Sequence, residues 1–198
     1  MASLRTPLCD LLKIDTPIVQ APIGPATTPT MTAAVSNAGG LGMLAFLRRD
    51  ADDVHRLISE THELTDRPFG GNFILRGLEG TDDRLDACLE SGVDVVSFHW
   101  DEPYEYVERV HAAGALLMYT VGDAEAARRA VAAGVDIIVA QGWEAGGHVR
   151  GYVAGSRGRG GPGPCDLRRQ HRRWPRHGGR TDAGSGRRMD RDSVRDQR

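Results

Sequence analysis

The chain has 198 residues and a mass of 21.5 kDa, and its 40% hydrophobic content is enough to bury the core of a globular domain. A closed (β/α)₈ barrel typically needs about 250 residues, so the chain is short for that fold. No apolar run approaches the roughly 18 residues that a membrane-spanning helix needs, and we expect no membrane partner.

The cysteines predict a reducing environment. Cys9, Cys88 and Cys165 are widely spaced and odd in number, which gives neither a disulfide framework nor a metal-ligand spacing. We therefore expect no metal site. Residues 1–13 lack the basic stretch and long apolar run of a signal peptide. Together these features predict a cytoplasmic location.

Charge divides the chain near residue 151. Residues 1–150 carry 12 Lys and Arg against 22 Asp and Glu, a net charge of −10. Residues 151–198 carry 13 Arg against 5 Asp, a net charge of +8. A change of sign this abrupt indicates a boundary between two kinds of sequence.

A helix ending in a small residue and glycine, followed at once by an apolar run, recurs along the first part of the chain. Its glycines are Gly39, Gly92, Gly114 and Gly134. Glycine suits the left-handed position that closes a helix, and the runs suit strands buried on both faces. The pattern predicts strands at 16–22, 41–46, 69–75, 93–99, 115–121 and 135–141, and helices at 28–38, 51–65, 82–91, 103–113 and 123–133. This alternation predicts a parallel α/β sheet, either a barrel or an open doubly wound sheet.

Ligands bind at the carboxyl ends of strands in such folds, and the first two candidate positions follow from that rule. Proline and glycine in the segment 20–24 expose peptide groups that suit a flat ring, although an ordinary strand-to-loop break explains them equally well. Asn72 lies in the buried run 70–73, where its amide needs partners. A ring edge or a neighbouring backbone group satisfies that need, and the backbone is somewhat favoured.

The third strand end, 140–148, is the most informative. Gln141 lies at the end of the strand, and the glycines that follow it permit a ligand to approach the backbone. His148 follows them, and the unperturbed histidine pKa near 6.5 suits proton transfer at neutral pH. A loop histidine is usually only solvated, but its position behind two glycines favours a functional role. His99 ends another strand, where it either binds substrate or packs in the core.

Read in order, the segments TPIVQAPIG, TPTMTAAVSNAGGLGML, GGNF, VVSFH and AQGWEAGGHVRG resemble the nitronate monooxygenase family, formerly called 2-nitropropane dioxygenases. The resemblance covers residues 14–154. It implies a TIM-type (β/α)₈ barrel, here shortened to about six βα units, that binds FMN without a covalent bond. The implied reaction is the oxidation of alkyl nitronates, small-molecule substrates, by O₂.

The resemblance also implies roles for individual residues. His148 would be the catalytic base or the partner of the nitro group. The flavin would be held by Ala21, Pro22, Ile23, Asn72, Gln141, Gly146 and Gly147. Ile23 stands where the family usually has Met, a conservative apolar change. A flavin-dependent enoyl-thioester reductase of the same barrel family is the alternative activity, and an inactive fragment is a third hypothesis.

Residues 155–198 do not continue the barrel pattern. They are rich in Arg and lack Lys, Glu and nearly all aliphatic residues, so they bury too little apolar area to order a strand, and we expect them to be disordered. GC-rich synonymous codons for this tail can be chosen so that translation one base downstream gives a strand, a glycine-rich turn, a helix and a second strand. We therefore expect a frameshift near Ala154, and rank nucleic-acid binding by Arg, His171, Trp174 and His177 below it. The sequence does not determine the oligomeric state.

Overall fold

A computed structural model describes residues 4–76, 80–142 and 145–147. The strands are β1 (Gly42–Ala45), β2 (Phe69–Ile74), β3 (Val95–His99), β4 (Leu116–Val121) and β5 (Ile137–Ala140). The helices are α1 (Pro7–Leu12), α2 (Pro29–Asn37), α3 (Ala51–His62), α4 (Thr81–Glu90), α5 (Val107–Ala112) and α6 (Ala124–Ala132). None of the helices in the described ranges is long and apolar enough to cross a lipid bilayer.

The strands form one parallel sheet in the order β1-β2-β3-β4-β5, so each strand pairs with its predecessor in the sequence. A doubly wound sheet reverses its strand order at a switch point, whereas this order continues in one direction. Of the two topologies that the sequence left open, the structure shows the barrel type.

Two sequence predictions are corrected by the structure. The predicted strand 16–22 is wrong, because this segment forms only a single parallel bridge between Val19 and Leu41. The predicted helix 103–113 is a 3₁₀ turn, Tyr104–Tyr106, followed by α5. The short helix α1 was not predicted at all, since six residues carry too little periodicity to identify a helix.

One face of the sheet packs against the helices. Side chains alternate between the two faces of a strand, and Phe69 and Phe73 of β2 lie on the same face as Phe98 of β3. They form one buried cluster with residues of α3, α4, α5 and α6, including Ile58 and Leu85. This is the outer face of the barrel wall.

The opposite face, which we call the inner face, holds a second buried cluster. Met43, Val95 and Met118 lie on this face of three strands and pack with Cys9 and Leu12 of α1. Helix α1 therefore covers the apolar part of the inner face. Burial of both faces explains why the strand sequences are continuous apolar runs.

The glycine pair at the start of β2 is explained by packing on both faces. A Cβ at Gly70 would lie 2.6 Å from the Met43 sulfur, and a Cβ at Gly71 would collide with the Phe46 ring. Glycine at these two positions makes room for Met43 of β1 and for Phe46, which directly follows β1. This packing requires no ligand.

A repeated Gly-Val-Asp sequence joins neighbouring strands at their amino ends. Asp94 follows Gly92-Val93, and its carboxylate accepts a hydrogen bond from Phe69 N at 3.1 Å. Asp136 follows Gly134-Val135, and its carboxylate accepts one from Leu117 N at 2.8 Å. In each case the aspartate directly before one strand accepts a hydrogen bond from the backbone of the preceding strand, where regular pairing begins.

We predict that Asp136→Ala lowers the free energy of unfolding by about 1–3 kcal/mol, because the buried Leu117 N–H loses its acceptor. Asp136→Asn retains an oxygen acceptor and should cost less. Urea denaturation followed by circular dichroism measures both. Asp10→Ala is the control, since its ion pair with Arg5 is exposed, and it should change stability by less than about 1 kcal/mol. Equal effects at the two positions would contradict this role for Asp136.

Candidate functional site

The inner face changes from apolar to polar toward the carboxyl ends of the strands. Asn72 of β2 and Ser97 of β3 are register partners, and His99 lies two residues farther along the same face. Thr120 occupies the inner face of β4. All four side chains are buried. A buried polar edge at this end of a parallel sheet is where ligands bind in barrel enzymes.

Asn72 is oriented by the neighbouring strand. Its Nδ2 donates to the Ser97 carbonyl and to the Ser97 Oγ, both at 3.2 Å. A carbonyl can only accept a hydrogen bond, so the amide nitrogen must face Ser97. Within the described part of the chain, no donor reaches Asn72 Oδ1. The backbone explanation foreseen for Asn72 therefore accounts for its nitrogen and leaves its oxygen as an available acceptor.

His99 lies on the inner face, on the same side of the sheet as Asn72. It is 9% exposed, and its ring centroid is 5.4 Å from that of Trp100. Its backbone carbonyl accepts from Leu75 N at 3.1 Å, which joins the ends of β2 and β3. The register of β2 and β3 thus places His99 on the inner face, and its role in substrate binding stays a prediction.

Residues 21–23 leave the sheet because the side-chain oxygen of Gln20 takes the place of the next backbone carbonyl as the acceptor for β1. Gln20 N donates to the Leu41 carbonyl at 2.9 Å, as in a parallel ladder. The next ladder donor, Met43 N, bonds instead to Gln20 Oε1 at 3.4 Å. The backbone is thereby released from pairing, and Ala21, Pro22 and Ile23 are exposed at the carboxyl end of the sheet.

The remaining candidates follow β5. Gln141 N donates to the Val121 carbonyl at 3.0 Å, and strand alternation continues the inner face through its half-buried side chain. A Cβ added at Gly146 or Gly147 would meet no atom within 4 Å, and Gly147 has φ of +72°. His148 lies outside the described residues.

A buried arginine ties the loops around the site together. Arg84 of α4 donates to the Gly80 carbonyl at 2.9 Å and to Thr81 Oγ1 at 3.0 Å. It also donates to the Phe46 carbonyl just beyond β1, at 3.4 Å. Burial lowers the pKa of its guanidinium, which ordinarily titrates far above neutral pH and stays charged. Arg84 thereby links the start of α4 to the end of β1.

Sequence reasoning missed Ser97, Thr120 and the role of Gln20, which it named only as the first residue of the candidate segment 20–24. A usable signal exists for Ser97, since it lies two residues before His99 and alternation places both on one face. The role of Gln20 had no such signal, because a side chain that replaces a backbone acceptor is not visible in a hydrophobic pattern. Among the described residues, no group of three His, Cys, Asp or Glu is arranged to hold a metal ion.

The singly wound parallel sheet and the polar edge of its inner face define part of a β/α-barrel enzyme. The chain matches the sequence model of nitronate monooxygenase over residues 5–83 and 73–160. It belongs to the nitronate monooxygenase family, whose members are flavin-dependent oxidoreductases that act on small molecules.

Individual relatives carry different names. A nitronate monooxygenase from Paraburkholderia phytofirmans is 34% identical, over 71% of this chain and 49% of its own length. An indene-carboxyl-CoA dehydrogenase from Mycobacterium tuberculosis is 37% identical, over 73% of this chain and 41% of its own. The structure of FabK from Thermotoga maritima superposes with a TM-score of 0.71 at 39% identity, over 74% of this chain and 47% of FabK. The chain thus spans about half the length of these proteins.

We predict that Gln20→Ala destabilises the protein by about 1–3 kcal/mol, because it removes the acceptor of the buried Met43 N–H. Thermal and urea unfolding measure the change. Ile23→Ala serves as the control, since its side chain is 59% exposed and its loss should leave stability nearly unchanged. A Gln20→Ala protein as stable as the unmodified chain would show that Oε1 does not support β1.

Proposed function

We propose that this chain is the amino-terminal part of an FMN-dependent nitronate monooxygenase, which oxidises alkyl nitronates with O₂ to a carbonyl compound and nitrite. The family match supports this reaction. The observation that carries the proposal is the oriented Asn72, whose Oδ1 remains available as an acceptor on the inner face. We propose no membrane or nucleic-acid partner.

The residues present fit a flavin ring. Asn72 Oδ1 can accept from a ring N–H, and the exposed segment 21–23 offers an apolar surface and backbone groups. Open space at Gly146 and Gly147 allows a ring to approach the main chain. Gln141 would supply another amide at the ring edge. When bound, FMN would supply the electron transfer that these side chains cannot perform.

His148 is proposed as the group that moves the substrate proton. A nitro group acidifies its α-carbon, and a neutral imidazole can remove that proton near neutral pH. His99, which lies on the inner face beside Trp100, would bind the substrate. The division of roles is physical: His148 takes a proton, while His99 and Asn72 orient what they contact.

A second candidate function is flavin-dependent reduction of an enoyl thioester. It is favoured by the identity to the Mycobacterium tuberculosis CoA-thioester dehydrogenase and to FabK. The two activities differ in their source of electrons. Nitronate-dependent O₂ consumption without NAD(P)H supports the first function, whereas NAD(P)H-dependent flavin reduction followed by turnover of an enoyl thioester supports the second.

The Arg-rich tail is proposed to arise from a frameshift near Ala154, in the gene or in its sequencing. The curated relatives align with only 71–75% of the chain, and the charge pattern changes sign near residue 151. Resequencing the gene around codon 154 tests this directly. An unchanged reading frame there would leave the tail as a real part of the protein.

We predict that the 198-residue chain binds FMN weakly. Strand β5 is the last described strand and lies at a sheet edge. Barrels of this kind often bind phosphate at the loops after strands 7 and 8, which lie beyond the described strands. Titration with FMN, followed by quenching of flavin fluorescence, measures the affinity. A submicromolar dissociation constant would contradict the expectation.

The next prediction concerns a protein in which the reading frame after Ala154 has been restored. In that protein we predict that His148→Ala retains flavin. Its turnover of neutral nitroalkane should fall by roughly 10²–10⁴-fold, the usual contribution of a positioned general base. Turnover of the pre-formed nitronate should fall much less, since that proton is already gone. Steady-state O₂ consumption with both substrates measures the difference. Equal losses would assign His148 to substrate binding, and no loss would make His99 the stronger candidate.

A further inference from the structure

The chain makes an unusual turn directly after β3. Trp100 and Asp101 have φ values of +59° and +24°, in the left-handed region that favours glycine. Neither residue is glycine, so a Cβ stands in each unfavourable position. Backbone strain of this kind persists only where surrounding contacts hold it, and it is concentrated at functional sites.

A buried tyrosine holds this turn. Tyr119 lies in β4 beside its register partner Phe98, and it is fully buried on the outer face. Its hydroxyl donates to the Asp101 carbonyl at 2.7 Å. This hydrogen bond therefore connects the middle of β4 to Asp101, the second left-handed residue after β3.

An ion pair that also anchors this loop is weaker. Glu102 pairs with Arg129 of α6 at 3.1 Å, and both side chains are 46% exposed. Exposed ion pairs of this kind contribute little to conformation, since water screens them. The Tyr119 hydroxyl is protected from water and so is the stronger constraint on the turn.

The turn determines where two aromatic side chains stand. His99 precedes it on the inner face, and Trp100 is its first left-handed residue, with the two ring centroids 5.4 Å apart. If the turn relaxed to ordinary φ values, the direction of the chain after His99 would change and this ring pair would separate.

We propose that Tyr119 is a positioning residue. By donating a hydrogen bond to the Asp101 carbonyl, it keeps the left-handed turn in place and so fixes His99 and Trp100 at the polar edge of the inner face. The importance of that edge rests on the proposed function, whereas the mechanical role of Tyr119 does not. Tyr119 does not itself touch the substrate.

The test uses the full chain with Trp143→Phe and Trp174→Phe, which leaves Trp100 as the only tryptophan. Tyr119→Phe removes the hydroxyl and keeps the ring. Loss of one neutral hydrogen bond should raise the population of the displaced turn about five-fold. We expect a shifted Trp100 emission maximum and a larger acrylamide quenching constant while the circular dichroism spectrum stays native.

Tyr106→Phe is the matched control. It also removes one hydroxyl near this loop, and the Tyr106 ring stacks on Phe98, but the Asp101 carbonyl keeps its bond to Tyr119. Its Trp100 signals should match those of the parent protein. A change of the same size in the control would show that Trp100 merely reports general loosening, and would overturn the inference.

Asp101→Gly supplies a rescue that a purely packing role would not allow. Glycine adopts positive φ without steric cost, so the turn should remain in place without the tyrosine hydroxyl. Trp100 quenching in the Tyr119→Phe, Asp101→Gly double variant should therefore return toward the parent value. This variant also serves if Tyr119→Phe alone does not fold.

Two results would overturn the inference: unchanged Trp100 signals in folded Tyr119→Phe, or no rescue by Asp101→Gly. None of these measurements requires FMN or a nitronate. Failure of the positioning role therefore leaves the proposed function standing, and failure of the FMN and nitronate assays leaves the role of Tyr119 standing.

Discussion

The pairing of each strand with its predecessor is the constraint on which the rest of this structure depends. Because the order β1-β2-β3-β4-β5 never reverses, the helices α3 to α6 return to one face and share one apolar cluster. The inner face, which these helices do not cover, lines the interior of the barrel. The same pairing brings the carboxyl ends of all five strands to one edge, so residues far apart in the sequence meet there.

The inner face combines a stabilising part and a functional part. At the amino ends of the strands, Met43 and Val95 pack against α1 and exclude water. At the carboxyl ends, Asn72 and His99 are buried but polar, and this placement costs free energy unless partners are supplied. Ser97 supplies one to Asn72 Nδ2. The site is therefore held by side chains that also complete the wall of the barrel.

The sequence predicted much of this arrangement from two signals. Glycines at helix ends and the apolar runs after them located β1, β3, β4 and β5, and the apolar run at 69–75 located β2, since both signals depend on local conformation and burial. The failed strand at 16–22 shows the limit of that reasoning. Its apolar pattern is that of a strand, yet Gln20 diverts Met43 N to its side chain and ends the pairing, an effect of a long-range contact.

The glycines show a related limit. The pair Gly70-Gly71 precedes the candidate Asn72, and each glycine makes room for a neighbouring side chain, Met43 of β1 on one face and Phe46 just beyond β1 on the other. Packing of this kind is decided by the neighbouring strand, which local patterns do not identify. The orientation of His99 was equally undetermined until the register of β2 and β3 fixed the face on which it lies.

The described half of the barrel also limits what can select a substrate. Proteins named as a nitronate monooxygenase and as a CoA-thioester dehydrogenase match this same half at 34% and 37% identity. The polar inner edge and the segment released from the sheet suit the flavin ring of the proposed function, and by themselves they do not distinguish a nitronate from a thioester. Under the proposed function, discrimination between a small nitronate and a bulky thioester comes either from side chains within this half, such as those at the turn of Trp100 and Asp101, or from the half of the relatives that the chain does not cover. Because Tyr119 holds that turn, a change at its hydroxyl would test the first source without disturbing the second.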